Sequence, residues 1–307
     1  MKRHISVESE KPFSRLTKSQ RASVAGAIPG AIATVGPWVP TTSAATSGRA
    51  AASALRRTTS SPPCRVLEED PDLAEALTPI RRSDAIEHCL APALHLPRGH
   101  WEGQQTDMTP DGIGLLVLRG LLIRRVSIDG GCGAELLGQG DLLRPWQGEG
   151  AQSTLSSTTG WRVLEQARIA VLDRRAAARL ARYPELTGRL VAKALERSRT
   201  LSAATAIAQH TRVEVRLHML FWHLADRWGR VRPGGVIVPL RLTHAILADL
   251  VSARRPSVST GLSVLARRGL VQRVDRAWLL RGEPPGELLE VQSVTVPEDA
   301  DGSTAGG

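Results

Sequence analysis

Residues 241–271 read RLTHAILADLVSARRPSVSTGLSVLARRGLV. Two apolar patterns of helical period flank a short break at Ser252-Ala253. In the first, Thr243 can serve as an N-cap, with Ile246, Leu247 and Leu250 turned inward. The second starts at Arg254-Arg255-Pro256 and ends at Gly269. Proline suits the first turn of a helix, where its missing N–H is no loss. At 100° per residue, Leu262 and Leu265 fall within about 40° of Val258, so these three form the buried stripe. Pro256, Thr260, Ser263 and Arg267 lie opposite, flanked by Ser257 and Ser259. The outward face of the first two turns is therefore short, polar and uncharged. An ordinary surface helix would carry Glu and Lys there. Short hydroxyl side chains allow close approach to a second surface and can bond phosphates or base edges. Arg254 and Arg255 stand at the positive end of the helix dipole, where charge repulsion is relieved only by a nearby anion.

Outward from this stretch the same logic continues. Upstream, VEVRLHMLFWHLADRWG places Val213, Leu217, Leu220, Phe221 and Leu224 on one helix face, with Gly229 as a candidate C-cap. VIVPL is a short strand. Downstream, LVQRV and AWLL flank Asp275-Arg276 as a small hairpin, with Trp278 in its core. Helix, strand, helix, turn, helix and hairpin make a winged helix-turn-helix. Residues 211–282 hold 13 Lys+Arg, all of them Arg, against 4 Asp+Glu, whereas the whole chain carries +10. A compact basic segment beside an acidic middle is the charge distribution of a nucleic-acid-binding module.

The rest of the 307-residue chain reads as a different kind of domain. Residues 1–65 are Ala-, Ser-, Thr- and Pro-rich and basic, a disordered extension. They suit either an arm touching DNA phosphate or a stretch upstream of the true start. Residues 66–92 suggest one or two short helices. From about residue 112, IGLLVLRG and LLIRRVSI are apolar runs around Gly120. Turns follow at 129–131 and Gly138-Gln139-Gly140-Asp141, and WRVLEQARIAVLD supplies two more strand-like pieces. Short strands with regular Gly turns predict an antiparallel roll or barrel. From Arg174 to Trp228 the period becomes helical, and Leu186, Leu190, Ala194, Leu201 and Ala208 form an apolar seam. That seam needs a cover, either a second copy of the helix or the β domain itself. The fold class is α+β. The domains are a disordered extension (1–65), a roll with N-terminal helices (66–180), a dimerisation helix (181–209), a winged helix-turn-helix (210–283) and a loose acidic tail (284–307).

Several classes are disfavoured. No apolar run approaches the roughly 18 residues of a membrane span, and charges interrupt any signal-peptide core at the N-terminus, so a cytoplasmic location is expected. Cys64, Cys89 and Cys132 are odd in number and far apart, which opposes a disulfide framework and falls short of four-cysteine iron–sulfur ligation. His88-Cys89, His95 and His100 read as isolated polar residues, and His218 and His223 share a helix face poorly, so no metal site or cofactor is expected. No nucleophile elbow, P-loop, HExxH motif or convergent carboxylate pair points to an enzyme.

LTHAILADLVSARRPSVSTGLSVLARRGLV, the long helix before it and the β segments LRGLLIRR and ELLGQGDLL together resemble the cyclic-AMP receptor/fumarate-nitrate regulator (Crp/Fnr) family of bacterial transcription factors. The likeness spans about residues 93–283. It implies a cyclic-nucleotide-binding-like β-roll, a homodimer joined through the long helix, and a recognition helix at about 255–268 in the major groove of double-stranded DNA. It also admits RNA polymerase as a partner. Arg254, Arg255, Ser257, Ser259, Thr260, Ser263 and Arg267 are the residues so assigned to DNA. Two departures stand out: Ser252 where the family turn has Gly, requiring αR geometry or strain, and Thr260 where many members have Arg. In the roll, Arg144-Pro145 occupies the family's Gly-Glu position. Gly148-Glu149 is a displaced candidate without the Arg-Ser/Thr-Ala segment, so the nucleotide pocket is degenerate and the effector is unassigned. The expectation is a DNA-binding regulator reading a palindromic operator. The competing one is a roll-based signalling module whose C-terminal domain binds a protein.

Overall fold

The computed structural model describes residues 63–103, 112–129, 131–145 and 157–285. The basic extension up to residue 62, the tail from 286 and Gly148-Glu149 lie outside the described residues. Two compact units are present. The first runs to His210 and includes Thr243–Arg255; the second comprises Thr211–Leu242 and the chain from Pro256.

In the first unit, β1 (Cys64–Arg65) pairs antiparallel with β2 (Leu90–Ala91), so the segment assigned to the extension already carries a strand at its end. Three helices lie between: α1 (Val66–Glu69), α2 (Pro71–Ala74) and α3 (Pro79–His88). Pro71 and Pro79 each restart a helix at its first turn, which divides the expected one or two helices into three. The roll is built from β3 (Ala93–Leu96), β4 (Gly99–Trp101), β5 (Gly114–Ile128), β6 (Gly131–Leu137), β7 (Leu142–Leu143) and β8 (Ser157–Leu172). Its strand order is β3-β8-β5-β6, with β4 on β8 and β7 on β5.

The pairing of β5 with β8 corrects the strand pattern expected from sequence. β5 is one strand of 15 residues, not two runs turning at Gly120. Its register against β8 shifts between Val117 and Leu122. Gly120 sits there at φ +99, and a Cβ would meet Gln166 O at 2.5 Å. Gly120 is thus a bulge in a continuous strand rather than a turn. Likewise WRVLEQARIAVL lies within one strand of 16 residues. β5 and β6 do pair antiparallel, Ile128 opposite Gly131, with Asp129 at φ +45; residue 130 lies outside the described residues.

Both faces of the start of β5 are buried, which is why it reads as an unbroken apolar run. Leu115 and Val117 join Leu122, Leu143, Val163 and Ile169 in one core, where Trp101 and Trp161 meet edge-on at 5.5 Å. Leu116 and Leu118 face the other way, into a cluster with Leu67, Leu73, Ala85 and Leu172. In the turn at 138–141, Asp141 Oδ2 accepts the Gly138 N–H at 2.7 Å. Beyond it, Arg144 Nη2 donates to Gly112 O at 3.1 Å, and the buried Pro145 packs on Gly103.

α4 (Arg174–Leu180), capped by Asp173 on the Ala176 N–H, leads through Tyr183 into α5 (Pro184–Gln209). The expected seam is buried only at its start: Ala194 is exposed, and Leu201 and Ala208 are half-buried. Leu186 and Leu190 belong to the roll's own core, and Lys193 and Arg197 continue that face by ion-pairing with Asp70 and Glu135. Around the helix from these, Val191 and Leu195 are 54% and 56% exposed.

The second unit is framed by α6 (Val213–Trp228), β9 (Arg230–Arg232), β10 (Gly235–Val238), β11 (Val271–Val274) and β12 (Ala277–Leu280), with sheet order β11-β12-β10-β9. β9 was not foreseen. Its three residues alternate Arg-Val-Arg at a sheet edge, too short to register as a strand by pattern. Leu217, Leu220, Phe221 and Leu224 are buried as expected, and Phe221 packs on Trp278 at 4.8 Å between centroids. Gly229 is the C-cap of α6, as expected, its N–H donating to Ala225 O; its φ is −67 rather than left-handed, and glycine is needed because a Cβ would meet Ala225 O at 2.4 Å.

Three of the other polar candidates have partners of their own. His88 contacts Asp84, Arg168 donates to His95 Nε2 at 2.7 Å, and Trp222 Nε1 donates to His218. Among the described residues no group of His, Cys, Asp or Glu is arranged to hold a metal ion, and no helix is long and apolar enough to cross a membrane.

Two experiments test this packing. Gly140 has φ +87, and a Cβ there would lie 2.7 Å from Lys193 Nζ. Gly140→Ala is expected to lower the unfolding free energy by about 1–2 kcal/mol in urea titration, whereas Gly160→Ala, with open space around it, stays within about 0.5 kcal/mol. The thiols should also separate. Cys64 and Cys89 are buried, and desolvation pushes Cys89 up to about 11. Native-state alkylation, read by peptide mass spectrometry, is expected at the half-exposed Cys132 first.

Candidate nucleic-acid interface

The helix-turn-helix consists of α7 (His244–Leu250) and α8 (Arg255–Arg267). Thr243 Oγ1 accepts the Ile246 N–H at 3.3 Å, the cap expected from sequence. Leu247 and Leu250 are buried and Ile246 is half-buried. α7 lies against β6 of the roll. Arg125 of β5 joins the two: its Nε is 2.6 Å from Cys132 Sγ and 3.5 Å from Asp249 Oδ1. Burial raises the Asp249 carboxyl above the usual carboxylate range, and Arg125 opposes the rise.

The turn takes the strained alternative. Ser252 has φ +49, a left-handed conformation that glycine adopts without penalty. Two bonds hold it: the Ala253 N–H donates to Ala248 O at 2.9 Å, and Ser252 Oγ donates to Cys132 O at 3.1 Å.

On α8, Val258, Leu262 and Leu265 are buried, as the wheel requires. Gly261 is buried as well. A Cβ there would lie 2.9 Å from Leu217 Cδ1 and 3.4 Å from Glu214 Cα, so glycine lets α8 approach the start of α6 closely. The outward residues fall where the sequence places them. Arg254, Arg255, Pro256, Ser257, Thr260, Ser263 and Arg267 are exposed, and Ser259 is half-buried on the flank. No acidic residue lies in the first turn. The two hydroxyls at the centre of the face turn back onto the helix. Thr260 Oγ1 donates to Pro256 O at 3.2 Å, and Ser263 Oγ donates to Ser259 O at 3.0 Å. Gly269, at φ +70, ends the helix, and the Leu270 N–H donates to Leu265 O at 3.0 Å in a Schellman arrangement.

Glu214 has its carboxyl below the usual range, through a backbone hydrogen bond first and then through Arg212, with Arg268 adding to the effect. The wing turns at Asp275, φ +51, and projects an exposed Arg276. Trp278 is buried, as expected for wing core. Sequence reasoning missed two features. The exposed Arg230 and Arg232 of β9 were signalled only by the turn residues Pro233-Gly234-Gly235 after them. The Arg125–Asp249 contact joins residues more than a hundred positions apart, and no local pattern announces it.

Residues 215–282 match the family model of the Crp-like helix-turn-helix domain. No match was found among curated proteins. Two solved structures share the fold. A mutant of CooA from Carboxydothermus hydrogenoformans is 17% identical, with 66% of this chain and 88% of that chain covered and a TM-score of 0.51. A cyclic nucleotide-binding domain containing protein from Listeria monocytogenes EGD-e is 12% identical, with 69% and 97% covered and a TM-score of 0.51.

The strained turn yields a ranking. Ser252→Ala keeps the left-handed strain and loses the bond to Cys132 O, so it should destabilise by about 1 kcal/mol. Ser252→Gly loses the same bond but relieves the strain, and thermal denaturation should place it close to the wild type.

Proposed function

We propose that this Crp/Fnr-type DNA-binding transcriptional regulator acts as a homodimer, presenting α8 of each copy to the major groove of a two-fold operator. The observation that carries the reading is the outward face of α8. Two arginines stand at its start, small polar residues follow, and no carboxylate intervenes. Arg254 and Arg255 would meet phosphate or guanine near the helix N-terminus, where the dipole alone disfavours them. Arg267 would reach the flanking backbone. Ser257, Ser259, Thr260 and Ser263 would face the groove between these cations, and their small size permits close approach. The roll would act through α5, whose inner face belongs to the roll core. Its neighbouring face supports the dimer. Val191 and Leu195 lie one turn apart and half-exposed, and a second copy of α5 would bury them.

Arg255→Ala is expected to weaken binding to a selected operator by about 1–3 kcal/mol in fluorescence anisotropy. An unchanged affinity would sink the assignment of α8. Wild-type binding should also fall steeply with salt, since a phosphate-dominated interface releases counterions. Light scattering at micromolar concentration should give a dimer for the wild type and a monomer for Leu195→Glu. A monomeric wild type would remove the two-fold arrangement.

A further inference from the structure

We infer that Thr260 selects an A·T base pair in the operator, its hydroxyl serving toward DNA as a hydrogen-bond acceptor. The inference rests on the major-groove placement of α8 proposed above and adds to it the base that is read.

Thr260 Oγ1 lies 3.2 Å from Pro256 O, and Ser263 Oγ lies 3.0 Å from Ser259 O. A carbonyl oxygen cannot donate, so each hydroxyl proton is committed to its own helix. What each side chain offers the exterior is its remaining lone-pair capacity. Phosphate oxygens only accept, so these hydroxyls are mismatched to the DNA backbone unless they first break their helix bonds. Guanine O6 and N7 also only accept. The donors on major-groove edges are the adenine N6 and cytosine N4 amino groups. The acceptor-only hydroxyls therefore match adenine or cytosine.

Thr260 separates these two. Its side chain is exposed and carries a methyl group beside the hydroxyl. The thymine C5-methyl is the apolar group of the major-groove edge, and only an A·T pair offers both an amino donor and that methyl. Ser263 has the acceptor without the methyl, so it reads an amino group without distinguishing adenine from cytosine.

No stronger reader competes at the centre of the face. α8 is RPSVSTGLSVLAR, and between its terminal arginines it holds no Lys, Arg, Asn, Gln, Asp or Glu. Arg255 and Arg267 are roughly 18 Å apart along the axis, at 1.5 Å per residue. The bases facing Thr260 are thus left to the hydroxyls.

The test starts with selection from a random duplex pool by the full-length protein, wild type and Thr260→Val. Valine keeps the shape and a methyl but removes the acceptor, and circular dichroism checks that its fold is retained. One operator position should prefer A·T with the wild type and lose that preference with T260V. At that position, 2-aminopurine in place of adenine moves the amino group out of the major groove, and uracil in place of thymine deletes the methyl. Wild-type affinity should fall roughly threefold to tenfold with 2-aminopurine and roughly threefold with uracil. T260V should be indifferent to 2-aminopurine, and Thr260→Ser indifferent to uracil. A G·C preference at that position, or a T260V that binds every sequence more weakly by the same factor, overturns the inference and leaves the regulator intact. Absence of sequence-selective binding by the wild type overturns the major-groove reading as well.

Discussion

The long helix α5 is fixed to the roll by two buried charges that must each find an opposite. Asp70 is fully buried and Glu135 nearly so, and Lys193 and Arg197 reach them from one face of α5. Arg197 places Nε and Nη2 on the two carboxylate oxygens of Glu135 and gives a further bond to Leu142 O. Removing Lys193 would leave the buried Asp70 charge uncompensated, at a cost of about 3–5 kcal/mol, whereas Glu135 also has Arg124 of β5 at 2.5 Å. The partners come from the N-terminal helices and from the β5–β6 hairpin, so helix rotation is set by elements widely separated in the chain. Val191 and Leu195 are outward because Leu186, Leu190, Lys193 and Arg197 are inward. Gly140 belongs to the same arrangement, since the Lys193 head occupies the space a side chain would fill.

A second constraint acts on the helix-turn-helix. α8 is seated closely on α6 because Gly261 has no side chain. α7 is held from the roll side by Arg125 and by the Ser252–Cys132 bond, and the turn accepts a left-handed serine to satisfy that arrangement. A glycine would ease the backbone but could not make the bond. The serine is the residue that does both jobs, one of them under strain.

Hydroxyls on an outward helix face are ambiguous in a sequence, because Ser and Thr can donate, accept or do both. At Thr260 and Ser263 the structure removes the ambiguity: their donors are spent on carbonyls four residues back, and acceptors remain. The strand pattern was ambiguous in another way. Gly120 breaks an apolar run as a turn would, yet the chain passes straight through it because β8 pairs along both sides of the bulge. β9 escaped notice because three alternating residues carry no period, and the φ of the Gly229 cap is not revealed by composition.

The sequence by itself determined the α+β class, the winged helix-turn-helix, the Thr243 cap, the outward set on α8 and the cations at its start. All of these follow from spacing along one element and from turn chemistry, which are local. The tertiary structure alone decided the continuity of β5, the burial of only the start of the α5 seam, the strained Ser252 and the contact of α7 with the roll. Each depends on a partner far away in the chain, through a carbonyl, a carboxylate or a guanidinium that no local pattern can place.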